Sequence, residues 1–331
     1  MKRLLPLVLF TLLACNLPVV GEKVPTPTAV PAITPTASLP LADLGTDKNP
    51  LILALGPTMQ PKPEVLAAGK TLTALLEKAT GYKFVSVVPP DELELVKAFG
   101  TESANIGVLS PAGYLLASGQ GYAEAAFVRQ LSGKSFYGAQ FIARNDSGFI
   151  SFYDPLKDEN SAEALISLVQ FNNKKPCWTD QYSPSGYIVP LGFLSIAGVR
   201  TQPPAFLAGH PAVVRAIYAG GICDFGATYI DARAYPGLED QYPDVLKKVL
   251  VIWRIPPIIP YDSLVFIHGM DEGQRRSLIR AFVDILATPN GKAAIQTLYG
   301  FDAMQVVQDS QYEDFRKAVK ASGLDLSTLL K

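Results

Sequence analysis

The chain has 331 residues, with 29 Lys and Arg against 30 Asp and Glu. A charge balance this even, with no basic stripe and no acidic run, leaves nucleic-acid binding nothing to rest on. Beyond the N-terminal region, two cysteines and two histidines are scattered in a way that makes a poor zinc site.

Residues 1–15 read as an export signal. Lys2 and Arg3 form a basic start, and Leu4 to Leu13 is an apolar run too short to span a bilayer. The run ends in Leu12-Leu13-Ala14-Cys15. Small residues before a cysteine at this place resemble a bacterial lipobox, which implies cleavage before Cys15 and a lipid on that cysteine. Residues 16–47 interleave Pro18, Pro25, Pro27, Pro31, Pro35 and Pro40 with threonines. Such a segment favours extended polyproline II and buries no core, so it serves as a semi-rigid tether.

The body from about Lys48 to Lys331 suits two domains of ordinary size. Leu51 to Leu55 is a continuous apolar run, the pattern of a strand buried in a parallel sheet. Gly56-Pro57-Thr58 is the turn after it. Val65, Leu72, Leu75 and Leu76 show helical spacing up to Gly81. Tyr82 to Val88 reads as a strand, Asp91 as the cap of a short helix, and Ala104 to Leu109 as a third strand. That strand opens into Ser110-Pro111-Ala112-Gly113-Tyr114, a strand-to-helix turn with a hydroxyl and a proline at the first helical position. Phe136 to Arg144 reads as another strand.

A second α/β series follows, with a helix at Ala162 to Val169 and strands at Pro176 to Thr179, Ala205 to Leu207 and Ile222 to Tyr229. Gly209-His210-Pro211 opens a helix. Val249 to Trp253 is an apolar strand, and Ile255 to Asp262 is an extended, proline-rich return to the first domain. Ser263 to His268 is a strand. Gln274 to Leu286 is an amphipathic helix with Leu278, Ala281, Phe282 and Ile285 on one face. Cys177 and Cys223 stand near the starts of two strands, and their sulfurs meet if those strands are parallel neighbours. Outside the cytoplasm such a disulfide is permitted. The alternation predicts an α/β protein of two lobes, each with a mostly parallel sheet flanked by helices. Lobe 1 is expected to hold residues 48–140 and 257–331 and lobe 2 residues 141–256, with two crossover segments between them.

The stretch Trp178 to Tyr187 concentrates the functional signal. Ser183, Ser185, Gly186 and Tyr187 lie at a strand-to-helix turn, where unpaired N–H groups and the helix dipole suit an oxyanion. An ordinary Ser-capped helix is the plainer reading. Ligand sites in open α/β sheets lie at the carboxyl ends of strands, so this turn and the Ser110 turn invite a common ligand between them.

The motifs carry a resemblance. Ile106 to Tyr114, Gln140 to Gly148, Ser183-Pro184-Ser185-Gly186-Tyr187 with Val189-Pro190, Gly209-His210 and Ala219 to Asp224 are similar, in order and spacing, to the phosphate/phosphite/phosphonate-binding family of ABC-importer solute-binding proteins. The resemblance covers nearly all of residues 50 to 320. It implies a type II periplasmic-binding-protein fold that closes on a small oxyanion, with no cofactor and no enzymatic activity. It implies a monomer that partners an ABC permease, placed outside the cytoplasm on a bacterial membrane by its lipid anchor. Matching motif positions assign Tyr114, Ser183, Ser185, Gly186, Tyr187, His210 and Asp224 to the ligand. Ser110, Thr58, Tyr261 and Asp262 are added by their turns.

Several residues depart from the family pattern. Pro184 stands where Ser or Thr is usual, Ser110 where glycine is common, Gly113 where serine is common and Cys223 where valine is common. Asp224 beside it is placed to accept a proton from a protonated anion or to pair with an amino group. The charge state of His210 is expected to tune anion affinity between about pH 5 and 8. Three alternatives stand beside the importer reading: a receptor of the same fold that feeds a sensor, the same cleft holding another small anionic metabolite, and a hydrolase using Ser and His.

Overall fold

The computed structural model describes residues 43–330. The signal segment, Cys15 and the tether up to residue 42 lie outside the described residues. Residues 43–47, expected to end the tether, instead belong to the body. Leu44 is buried, its carbonyl accepts a bond from Gln274 at 2.8 Å, and the Gly45 carbonyl accepts one from the Lys83 N–H at 2.8 Å.

The first stretch runs β1 (Leu51–Ala54), α1 (Pro63–Thr80), β2 (Phe84–Val87), α2 (Glu92–Gly100), β3 (Ile106–Leu109), α3 (Pro111–Gly119) and β4 (Ala123–Gln130). The local reasons are those visible in the residues. In α1, Pro63 sits in the first turn, Ala68, Leu72 and Leu76 recur every four residues on the buried face, and Gly81 stops the helix at φ 75°. Asp91 caps α2 by accepting from the Glu94 N–H at 2.8 Å.

The chain then crosses on β5 (Phe136–Arg144), followed by a small hairpin, β6 (Tyr153–Asp154) and β7 (Glu159–Asn160). Next come α4 (Ala164–Ser167), β8 (Pro176–Trp178), α5 (Val189–Ile196), β9 (Ala205–Phe206), α6 (His210–Ala219), β10 (Phe225–Tyr229), α7 (Leu238–Gln241) and α8 (Val245–Lys248). The long β11 (Val249–Pro260) returns, and β12 (Ser263–Ile267), α9 (Glu272–Leu286), α10 (Pro289–Tyr299), β13 (Ala303–Val306) and α11 (Glu313–Ser322) complete the chain. Leu278, Ala281, Phe282 and Ile285 are the buried face of α9, as their spacing predicts.

Beside the β6-β7 hairpin, two larger sheets form among the described residues, in the orders β13-β4-β12-β3-β1-β2 and β11-β5-β10-β8-β9. Each is mixed rather than mostly parallel. β1 pairs in parallel with β2 and β3, and β8 with β9 and β10. β12, β4 and β13 run antiparallel, as does β5 between β10 and β11. The crossings account for β12 and β5, because a strand that enters a lobe from its cleft edge opposes the neighbouring strands that end there. Residues 136–140 and 257–260, expected in lobe 1, lie in strands of the second sheet. Pro256 and Pro257 lack an N–H, and the β11 ladder shifts register between Ile255 and Ile259.

Cys177 of β8 and Cys223 before β10 form a disulfide, with 5.7 Å between their Cα atoms. Among the described residues, no helix is long and apolar enough to cross a membrane.

Candidate functional site

In the second sheet β8, β9 and β10 are parallel, so the segments that follow them emerge at one edge. After β8 the chain makes a single π turn, Pro184–Ile188, before α5. Ser183 caps this turn, its Oγ accepting from the Gly186 N–H at 3.0 Å. The Ser183 carbonyl accepts from the Tyr187 and Ile188 N–H groups at 3.1 Å each. Pro184 has no N–H. The turn thus spends most of the donors expected for an anion, and Ser185 is the residue left to supply the rest. Gly186 rests against the buried Thr179 at the end of β8, where a Cβ would overlap the Thr179 side chain. The Thr179 Oγ1 is buried without a partner. Tyr187 is half-buried between Trp178, 6.0 Å between ring centres, and Phe206, 5.1 Å. Burial raises the pKa of its phenol.

His210 is the first residue of α6, reached through Gly209 at φ 87°. Its Nδ1 accepts from the Tyr229 N–H at 3.2 Å, and its ring meets the Tyr229 ring edge-on at 4.6 Å. An accepting Nδ1 places the proton of the neutral ring on Nε2. Burial pushes the imidazole down to about 4, against a smaller upward pull from Asp180. The ring is therefore neutral across pH 5 to 8, and the expected charge tuning in that range is replaced by a fixed neutral donor.

Asp231, which the sequence reading missed, follows β10 at the same edge. Its carboxylate accepts from Gln140 at 2.7 Å and pairs with Arg233 at 2.5 Å, with Arg254 3.7 Å away. These contacts hold its pKa below the usual carboxylate value, although burial, the largest single influence, acts the other way.

The crossing strands supply Tyr137 and Tyr261, stacked at 4.9 Å and 23°. Burial pushes the Tyr137 phenol up to about 12, with the Ser185 side chain as its hydrogen-bonding neighbour and Tyr261 and Asp262 close by. Burial also raises the Asp262 carboxyl, opposed by Arg129. On lobe 1, Ser110 caps α3 by accepting from the Gly113 N–H at 3.1 Å. Its own N–H and hydroxyl both donate to Glu92, at 2.5 and 3.0 Å. Burial raises the Glu92 carboxyl as well, with Asp262 adding to the effect and the two Ser110 bonds opposing it.

The structure thus draws Ser110, Ser185, Tyr261 and Asp262 into one cluster, completed by Glu92 and Tyr137. It does not place Tyr114 there. That side chain is fully buried, packed 4.5 Å from the Tyr312 ring, and its hydroxyl donates to Asp309 at 2.6 Å. Nor does it place Asp224 there. This acid precedes β10, at the opposite edge of the sheet, and accepts from the Lys175 N–H at 2.7 Å. Thr58 follows β1 and is used locally, its N–H bonded to the Pro89 carbonyl at 2.9 Å and its hydroxyl to the Gln60 N–H at 3.2 Å. Tyr137 and Tyr261 also line a groove of 1320 Å³ along the crossing strands, with Trp253, Arg254, Pro256 and Phe193 among its walls.

Two α/β lobes, joined by crossing strands and carrying their polar groups at the strand ends, define the type II periplasmic-binding-protein fold. Within that class the chain belongs to the family described as the ABC transporter, phosphonate, periplasmic substrate-binding protein, whose model matches residues 56–312. Comparison with curated proteins gave no match. Among solved structures, the chain is similar to XAC2383 from Xanthomonas citri bound to ATP, with a TM-score of 0.57 and 14% identity over 83% of this chain and 98% of that one. It is also similar to PhnD1 from Prochlorococcus marinus in complex with methylphosphonate, with a TM-score of 0.46 and 15% identity over 82% and 97% of the two chains. A binding protein of an ABC phosphonate transporter, PA3383 from Pseudomonas aeruginosa, gives a TM-score of 0.45 and 19% identity over 82% and 87%.

Proposed function

We propose that this protein is a lipid-anchored receptor, tethered through Cys15, that closes on a small oxyanion of the phosphonate, phosphite or phosphate class and delivers it to an ABC permease. One observation carries the ligand reading. Ser185 and the neutral His210 stand at the ends of neighbouring strands and offer uncharged donors to an anion. The hydrolase alternative loses ground on the same geometry. Ser185 has Tyr137 as its neighbour and the His210 Nδ1 serves the Tyr229 N–H, which is not a nucleophile with its base.

A thermal-shift panel of phosphate, phosphite, methylphosphonate, 2-aminoethylphosphonate and sulfate tests the reading. A ligand at about 100 times its Kd stabilises the fold by about 2.7 kcal/mol. Ser185→Ala and Tyr187→Phe should each reduce that shift while leaving the ligand-free midpoint nearly unchanged. Silence of the whole panel on folded protein would remove the oxyanion.

A further inference from the structure

The crossing strands carry more concave apolar surface than a small oxyanion can use. The groove along them has a volume of 1320 Å³. Pockets of about 300–1,000 Å³ already hold drug-sized molecules, so an inorganic oxyanion fills a small part of it. Trp253 of β11 and Phe193 of α5 form part of its wall, 5.5 Å between ring centres. The Trp253 Nε1 donates to the Ala162 carbonyl at 2.9 Å, which fixes the ring. Leu131, Ile166 and Ile230 line the same groove and remain 46%, 60% and 36% exposed. Arg254, the charged residue of β11 here, is engaged by Asp158 and lies 4.2 Å from the Tyr153 ring. The inner wall therefore offers apolar contact more than charge. The groove is not separate from the cleft. Tyr137 and Tyr261, stacked at 4.9 Å, both line it, and Tyr137 is the hydrogen-bonding neighbour of Ser185.

We propose that the ligand is an organic phosphonate or phosphate monoester with an apolar or aromatic substituent. Its anionic head meets Ser185 and His210, while its substituent passes the Tyr137–Tyr261 pair and lies along the groove. This rests on the oxyanion reading of the cleft. A small molecule suits the groove better than a partner chain, because the tyrosine pair belongs both to it and to the anion cluster. Covering Leu131, Ile166 and Ile230 takes apolar area out of water, and each methylene buried there adds about fourfold in affinity. The aromatic wall is held by its own contacts, so a flat substituent meets it with little ordering of side chains. A bare oxyanion has nothing to place in the groove and leaves that surface wet.

The test is calorimetric titration of the purified full chain with inorganic phosphate, methylphosphonate, hexylphosphonate and phenylphosphonate. Wild type is compared with Ile166→Ser and Ile230→Ser, which change side chains already in contact with water. Wild type should bind hexylphosphonate and phenylphosphonate at least about tenfold more tightly than methylphosphonate. At least one variant should lose about tenfold of the hexylphosphonate affinity while keeping that for methylphosphonate. Binding of the two substituted phosphonates with silence of phosphate and methylphosphonate would support the inference equally. If phosphate or methylphosphonate binds and the longer substituents add nothing, the groove has no part in ligand choice and the receptor reading stands. If the gain survives in both variants, the substituent lies elsewhere and the inference falls. If wild type binds none of the four, the oxyanion reading falls and the inference with it.

Discussion

The neutral state of His210 makes a prediction with a defined sign and size. In the folded protein its imidazole resists protonation down to about pH 4, whereas in the unfolded chain it takes a proton near 6.5. Between these values the unfolded state binds more protons than the native one, so stability falls as pH is lowered through the window and is complete above it. The full shift corresponds to about 3 kcal/mol, and about 2 kcal/mol of it is already lost between pH 7 and pH 5. The cause is local. Protonating Nδ1 would remove the acceptor of the Tyr229 N–H and place a charge in a largely buried site. The perturbation is His210→Asn, whose Oδ1 can accept the same N–H and which does not titrate. The assay is urea unfolding of both proteins at pH 7 and pH 5. The raised carboxyls of Glu92 and Asp262 act in the opposite direction, gaining protons in the native state first, but they are common to both proteins and cancel in the comparison. Wild type should lose about 2 kcal/mol more than the variant on going to pH 5. Equal losses, within about 0.5 kcal/mol, would refute a neutral buried His210.

Three further outcomes follow from single contacts. Cys223→Ser opens a bridge that spans 46 positions of sequence and should cost about 4 kcal/mol on the loop-entropy model, read as a drop in the urea midpoint under non-reducing conditions. Tyr114→Phe removes the bond to Asp309, which keeps Arg316 as a partner, and should cost about 1 kcal/mol in the same assay with unchanged anion affinity. Gly186→Ala forces a Cβ into Thr179 and should destabilise by about 1–3 kcal/mol and weaken anion binding in titration, because the π turn must shift.

The fold was legible where the local pattern was strong. The apolar runs that became β1, β3, β8 and β10 were visible without partners, as were the Pro, Ser and Gly signals that open α3 and α6. β4 was not, because Ala123-Glu124-Ala125-Ala126 lacks the β-branched residues that mark strands, and its pairing with β12 and β13 is supplied by the tertiary fold. The site was legible at its turns and illegible wherever a distant residue decided the outcome. Tyr114 looked like a cleft donor until its partner, 195 positions away, drew it into the core. Asp224 carried a motif but stands before its strand, and an acid there lies at the far edge from the cleft. Glu92 looked like an ordinary acid in the first turn of α2, and nothing local signals that it reaches 18 positions along the chain to Ser110. Tyr137 read as one more residue of a crossing strand, until its strand start was placed beside Ser185.

The two lobes hold their polar residues at the strand ends in different ways. The donors of lobe 2 are tied to the backbone. The π turn rests on Thr179, one residue beyond β8, and His210 is held by the N–H of Tyr229 at the end of β10. Cys177 and Cys223 join those same two strands. Altering that half disturbs strand pairing, buried contacts and the cap of a turn together. The lobe-1 half is set by a side chain reaching across from α2 into a space that one small residue leaves open. Residues 92 and 113 lie outside the paired positions of β3 and its neighbours. Function of this kind resides in side chains mounted at strand ends, and the strands tolerate its revision. The two sides of the site are thus held differently, the turn after β8 by its backbone and the start of α3 by a side chain from α2.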